Sequence, residues 1–411
     1  MSVTETERSA APLTRDRGDA RGRPDDQEAV SQVLPVLAEH ARDVDEKARF
    51  PVESLAALRG SGLMGLLVPV RYGGMGGDLA DVSRIARVLA GECMASAVIW
   101  SMHCQQVAAV TEHGSARLRD RVLPGLAAGR TYLGSVTTER GKGGHLLSAQ
   151  APLLPLDGNP GHWRLERDAP ISTGALHADA FLMTMRAGPD AVPTDVRLVW
   201  ADRAALAMET RSDWNPMGMR GTHSVAVSLR GDVSDDDIVG ADFRTVALET
   251  FVPAGHVAWA SCWLGAAQGA LRRTVALLRD PAGRRQFDLD STLFTSRLAR
   301  IRMDLDLVEA CLDRVLAVHA QGRRPGGPDL QGPSFQILVN ELKVAAAERC
   351  LTAVDQLIEL VGLRHGYLKS SPTRLEQIYR DLRSASLMYA NDRLLTVNGK
   401  LALLDRAATL P

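Results

Sequence analysis

The sequence predicts an α+β protein laid out as helices, then a β domain, then a helical bundle. Three observations carry this. Apolar residues recur at helical spacing through residues 27–131. From 132 to 240 the period switches to two, in short runs separated by Gly and Pro. From 241 onward long helical stripes return, enough for a four-helix bundle.

Residues 1–26 are rich in Ser, Thr, Asp, Arg, Ala and Gly and are expected to form a disordered lead-in. The first helical region follows, with Leu34, Val36 and Leu37, then Leu55, Leu58 and Leu63, then Ile85, Val88 and Leu89. The cluster from Gly73 to Gly77 breaks it. No strand feeds that cluster and it is not GxGxxG, so it reads as a tight turn. The runs 181–186, 196–200 and 225–229 are β-type, with turns at Gly158, Pro160, Gly161, Pro189, Pro193 and Gly231. They predict an antiparallel barrel or sandwich. In the last region Leu298, Ile301, Leu305, Val308, Leu312 and Val315 are spaced 3, 4, 3, 4, 3, a bundle seam. Leu351, Val354, Ile358 and Val361 give a second stripe, and a final helix is expected from Leu375.

Composition excludes several classes. A hydrophobic content of 45% with 24% charged residues is that of a globular protein. A net charge of -1 gives no general attraction to nucleic acid or to an anionic membrane. Of 48 basic residues only Lys47, Lys142, Lys343, Lys369 and Lys400 are lysine. Cys93, Cys104, Cys262, Cys311 and Cys350 are widely spaced, without a metal signature, and are expected to be reduced and buried in a cytoplasmic protein. The uncharged stretch from Thr250 to Leu271 carries Pro253, His256, Ser261 and Gln268, and fits a buried bundle helix better than a membrane span.

No GxSxG, Walker A, HExxH or Rossmann fingerprint is present. Weaker motifs occur in order. Residues 62–76 hold a Gly-hydrophobic-Pro-x-x-Tyr-Gly-Gly-x-Gly turn. Leu123-Pro-Gly-Leu-Ala-Ala-Gly129 follows, then Trp214 to Ser224 with Met-Gly-Met-Arg-Gly-Thr-His-Ser, then Arg374 to Arg383 with Tyr-Arg-Asp-Leu-Arg. Together these resemble the acyl-CoA dehydrogenase superfamily of flavoproteins over about residues 30–400. The resemblance implies FAD between the β domain and the bundle. A hydride leaves the substrate β-carbon for the flavin while a base removes the α-proton. It also implies a homodimer or homotetramer and an acyl thioester, on CoA or an acyl carrier protein, as substrate.

The resemblance carries cofactor contacts to particular residues. Thr138, in Thr138-Glu139, matches a flavin-ring contact. Ser172, in Ile171-Ser-Thr-Gly174, falls at a flavin hydroxyl position, and Pro170 stands where a covering Trp is usual. Thr222 and Ser224 are further hydroxyl candidates. Arg284 and Phe287 resemble the Arg-x-x-Phe pair at the phosphate and adenine end, often across a subunit boundary, and Gly362 part of a later glycine turn. Arginine suits a pyrophosphate because its fork donates paired hydrogen bonds.

The usual catalytic glutamate is absent. One family position counts to Tyr389 and the other to Gly255, beside His256. Tyr389, Asp392 and His256 are therefore the candidates for the catalytic group, Asp392 because it shares a face with Tyr389 if the helix continues. Three readings remain. A non-catalytic flavin-binding or assembly protein is disfavoured by the retained hydroxyls and Arg284; the other two are enzymes, the dehydrogenase leading because the Met-Gly-Met-Arg-Gly-Thr and Arg-Asp-x-Arg motifs look closer to that branch. One is α,β-dehydrogenation of an acyl thioester with a displaced base. The other is a flavin-dependent monooxygenase that uses reduced flavin from a partner reductase and dioxygen, and needs no glutamate there.

Overall fold

The structure, a computed structural model, describes residues 26–141 and 145–405. The expected tail lies outside the described residues except for Asp26, which opens the first helix. Five helices come first: α1 (Asp26–Lys47), α2 (Val52–Gly60), α3 (Leu79–Glu92), α4 (Met94–His113) and α5 (Ala116–Ala127). The start of α3 is fixed locally, because the Asp78 carboxylate accepts from the Ala80 and Asp81 amides while Asp81 accepts from the Asp78 amide. The glycine cluster before it is the expected tight turn. Gly73 is left-handed at φ +88°, and a Cβ on Gly74 would lie 2.2 Å from the Val68 carbonyl oxygen.

The middle region forms two four-stranded sheets from β1 (Leu133–Val136), β2 (Leu154–Pro155), β3 (His162–Ser172), β4 (Ala180–Arg186), β5 (Val196–Asp202), β6 (Leu206–Thr210), β7 (Val225–Ser234) and β8 (Ile238–Val239). Their orders are β1-β4-β5-β8 and β2-β3-β7-β6. The expectation of an antiparallel domain needs one correction: β1 pairs with β4 in parallel, from Leu133 opposite Ala180 to Val136 opposite Met183. A parallel pair needs a long crossover, here the whole of β2 and β3. Leu182, Leu198 and Trp200 of the first sheet pack with α4, α5 and the short helix α6 (Phe243–Val246). Leu165, Val227 and Leu229 of the second join the main core.

The last region holds α7 (Val252–Arg279), α8 (Pro281–Arg284), α9 (Thr292–Gly322), α10 (Pro333–Gly362), α11 (Leu375–Leu382) and α12 (Asn391–Ala402). α7 contains the long uncharged stretch, and every residue from Pro253 to Ala267 is buried. Its glycines permit close packing on α3. A Cβ on Gly265 would meet the Arg87 carbonyl oxygen at 2.2 Å, and one on Gly269 the Gly91 oxygen at 2.8 Å. Among the described residues no helix is long and apolar enough to cross a membrane. The α9 seam is buried from Ile301 through Val315. The expected single helix from Leu375 is instead two, α11 and α12, separated by turns over residues 383–390 that end on a left-handed Tyr389 at φ +48°.

Candidate functional site

The two most distinctive motifs meet each other. Gly218 lies against the backbone of α11, where a Cβ would be 1.9 Å from the Arg380 carbonyl oxygen. The Met219 amide donates to Asp381 Oδ1 at 2.5 Å, and Arg380 Nη1 to the Met217 carbonyl at 3.1 Å. Arg380 also forms a paired bond to Asp45 of α1, at 3.0 and 2.6 Å. Arg220 reaches the Asp45 carbonyl from the other side, at 2.7 Å. These residues clamp α1, the β domain and the bundle together. Burial pushes the Asp381 carboxyl up to about 7, against the opposing Met219 amide.

The candidate cofactor residues fall into two groups. The first is a ledge at the ends of β1 and β3. The β3–β7 register shifts between Ala169 and Ser172, which turns Ile171 outward to 50% exposure. Thr138 Oγ1 donates to the Ile171 carbonyl at 2.7 Å, and Ser172 Oγ to the Ser135 carbonyl at 3.3 Å. Glu139 pairs with the buried Arg167 and accepts from the Gln150 and Ala151 amides. Burial alone would raise its carboxyl, but Arg167 and the two amides outweigh that and hold it below its usual range. Thr222 Oγ1 donates to the Met219 carbonyl and shares a hydrogen bond with Ser224, which also bonds Thr173, so both hydroxyls are engaged inside the protein.

The second group lies at one end of the bundle. Arg284 ends α8 and is exposed. Phe287 packs on Phe294 and His365, with ring centroids 6.0 and 5.9 Å apart. Gly362 has φ +69°, and open space where a Cβ would be. An apolar ledge with backbone and hydroxyl groups, and an exposed guanidinium beside an aromatic ring, fit the donor set that a flavin with a phosphate-bearing tail requires.

Beside the ledge stands an aromatic cluster of two buried residues, His256 and Trp259, and a partly buried one, Tyr389. His256 and Trp259 project from α7 and meet Tyr389, with His256–Tyr389 centroids 6.1 Å apart, Trp259–Tyr389 5.4 Å and His256–Trp259 5.9 Å. The Tyr389 hydroxyl bonds the side chain of Thr137, next to Thr138. It therefore reaches from the bundle to the β domain. Gln105 occupies the space opposite Gly255, its Nε2 2.3 Å from where a Cβ would be and bonded to the Phe251 carbonyl. Among the described residues, His256 Nδ1, Trp259 Nε1 and Gln106 Oε1 are buried without a partner.

The cluster is neutral, and the charges that act on its imidazole and phenol are cations. Burial, then the Lys343 charge, pushes the His256 imidazole down to about 3, against the Val339 carbonyl. Burial raises the Tyr389 phenol, opposed by Thr137 and Arg393. No carboxylate is among the groups that shift either one.

One sequence expectation needs correction here. The shared face for Asp392 required a helix running through Tyr389. The chain turns there instead, and Asp392 lies exposed in the first turn of α12. Trp100 and His103 of α4 are spent in the core. Trp100 Nε1 donates to the Leu63 carbonyl, and His103 lies between the Met64 carbonyl and the Leu133 amide. Sequence reasoning missed Trp259 and Lys343. A lysine inside the apolar run Leu342-Lys343-Val344-Ala345 was the signal for the second.

Family models of the acyl-CoA dehydrogenase N-terminal and C-terminal domains match residues 27–130 and 245–389. The chain belongs to the acyl-CoA dehydrogenase family. It is 25% identical over 393 residues to FadE25 of Mycobacterium tuberculosis, named a probable acyl-CoA dehydrogenase, covering 93% of this chain and 96% of that one. It is 24% identical to a dibenzothiophene monooxygenase of Mycolicibacterium goodii, covering 84% and 85%. The fold matches FMN-bound TdsC of Paenibacillus sp. A11-2 at a TM-score of 0.81, with 19% identity over 92% of this chain and 97% of that one. As a member of the acyl-CoA dehydrogenase family, the chain is a flavin-dependent oxidoreductase, with FAD the family's usual cofactor. Its relatives include both dehydrogenases and monooxygenases.

Proposed function

We propose that this chain is a flavin-dependent monooxygenase acting on a small uncharged substrate, with reduced flavin supplied by a separate reductase. The observation that carries this reading is the neutral cluster of His256, Trp259 and Tyr389, where the charges that act on the imidazole and the phenol are the cations Lys343 and Arg393. Removing an α-proton from a thioester calls for a base, and the usual base is a carboxylate. Here one glutamate position is Gly255 with Gln105 filling the space beside it, and the other is Tyr389. A phenol raised above its ordinary pKa and an imidazole held near 3 are both poor bases at neutral pH.

The same groups suit oxygen transfer. Bound reduced flavin supplies the two electrons; one atom of dioxygen enters the substrate and the other leaves as water. In this reading the Tyr389 phenol stays protonated and donates a hydrogen bond next to the flavin ledge. His256 stays neutral, and the free Trp259 N–H orients the substrate. Burial of the cluster excludes water and strengthens these bonds. Thr138 and Ser172 position the ring, and Arg284 with Phe287 hold the phosphate and adenine end.

The test is anaerobic mixing of flavin-loaded protein with acyl-CoA thioesters of short, medium and branched chains. No bleaching of the oxidised flavin is expected. Rapid bleaching by any of them would establish the dehydrogenase instead.

A further inference from the structure

Lys343 lies in the middle of α10 with no exposed surface. Its ammonium donates to the Tyr389 carbonyl at 3.0 Å and to Asn391 Oδ1 at 2.7 Å. Its nitrogen also stands 5.6 Å from the centroid of the Trp263 ring. Asn391 in turn donates from Nδ2 to Glu348 Oε1 at 3.1 Å, one helical stretch further along α10. Burial lowers the amine to about 8, partly offset by Glu348, so it remains a cation at neutral pH.

These bonds fall on a strained joint and on the residue two places after it. Tyr389 is left-handed at φ +48°, a conformation unfavourable for a residue with a Cβ. No Gly or Pro in residues 383–390 forces the chain to turn there. Ala390 then leads into α12, whose first residue is Asn391. Local bonds shape the start of the turn, Ser384 Oγ donating to the Asp381 carbonyl and Arg383 to Ser386 Oγ, while the ammonium holds the carbonyl of Tyr389 itself and the side chain two residues on, and so fixes the left-handed end from another helix. The Tyr389 ring, aimed by that turn, meets His256 and Trp259 and carries its hydroxyl to Thr137.

We propose that Lys343 is the positioning residue for Tyr389: it clamps the left-handed joint that delivers the phenol to the flavin ledge, and it acts on the reaction only through that phenol. The inference rests on the reading above that Tyr389 belongs to the reacting centre. Lys343 itself touches no substrate, because it is buried and its protons are directed at the Tyr389 carbonyl, Asn391 and Trp263.

The experiment compares wild type, Lys343→Met, Lys343→Arg and Asn391→Ala, without cofactor, by tetranitromethane nitration with peptide mapping. Tyr132, 1% exposed and remote in sequence, reports on whether the fold is intact. Nitration of Tyr389 is expected to rise about tenfold in Lys343→Met while Tyr132 stays protected, with Lys343→Arg restoring part of the protection. Should Lys343→Met not fold, Asn391→Ala carries the same expectation in weaker form. Unchanged Tyr389 protection, or a rise shared equally with Tyr132, would overturn the proposal. A double-mutant cycle adds a functional readout: flavin-dependent turnover lost in Lys343→Met should not fall further when Lys343→Met is combined with Tyr389→Phe. Additive losses would show that Lys343 does not act through the phenol. A Tyr389→Phe variant of wild-type activity would instead sink the catalytic reading of Tyr389, leaving the nitration result to judge the clamp.

Discussion

By motif count Tyr389 falls at the position expected for the family's glutamate, and in the proposed function its surroundings change what that position can do. A carboxylate there would accept a proton; a phenol raised by burial and bonded to Thr137 keeps its own. Replacing Tyr389 by Phe removes one donor and little volume. Turnover should fall about tenfold or more, equivalent to roughly 1.4 kcal/mol of transition-state stabilisation per factor of ten, with flavin content unchanged. Steady-state rates on flavin-matched samples check this. Asp381 offers a second test. Burial raises its carboxyl in the folded state to about 7, from an ordinary value of 3.8. Between these values the folded state holds a proton that the unfolded state has released. The contribution of this group is therefore complete below about 3.8 and is lost as pH rises through about 7. Asp381→Asn, which keeps an acceptor for the Met219 amide, should remove that loss. Because the buried histidines gain stability over the same range, urea unfolding at pH 5 and pH 8 should show a larger rise in midpoint between them for the variant than for wild type.

Among the elements, the clamp between the 214–224 loop and α11 has the least tolerance. Gly218→Ala would place a methyl 1.9 Å from a carbonyl oxygen that the α11 backbone cannot easily move. A loss of about 2 kcal/mol or more is expected, read as a lower urea midpoint. Elements were legible in the sequence where they are specified locally. The α9 stripe and the long α7 run follow from periodicity, whereas β4, β5 and the first half of β7 were legible as short apolar runs between turn residues rather than by alternation, since they are buried on both faces. The parallel β1–β4 pair was not legible, since it joins strands separated by all of β2 and β3. The break between α11 and α12 was hidden too: it holds no Gly or Pro, and Lys343, 46 residues before Tyr389, fixes it. For the site, motif order carried Thr138, Ser172 and Arg284 to candidate positions, and counting reached Tyr389 and His256. Trp259 joined the cluster only once α7 and the 383–390 turns were packed together.

Across the whole molecule, buried histidines oppose Asp381. Burial holds His103 and His319 down to about 4 and His256 to about 3, so all three are neutral when folded and gain protons when unfolded below about 6.5. Their contribution is present above 6.5 and is lost as pH falls. Between about pH 4.5 and 6, three protons taken up against one released by Asp381 leave a net uptake of about two. That is roughly 2.7 kcal/mol of stability lost per pH unit at most. Urea midpoints measured from pH 7 down to pH 5 should fall accordingly. The bundle end makes a separate prediction: Arg284→Ala should weaken FAD binding about tenfold while leaving unfolding of the apoprotein unchanged, because the guanidinium is exposed. Titration of apoprotein with FAD, followed by flavin fluorescence, checks both halves.

In the proposed function this member of the family uses neutral donors to manage oxygen rather than a base to take a proton. The most direct measurement loads the protein with FAD, reduces it without air, mixes it rapidly with oxygenated buffer and follows the flavin spectrum, with free reduced FAD as control. A long-lived transient spectrum, distinct from both the reduced and the oxidised forms and shortened by Tyr389→Phe, is the predicted result. Slow reoxidation with no transient, together with bleaching by an acyl thioester in the absence of air, would contradict it.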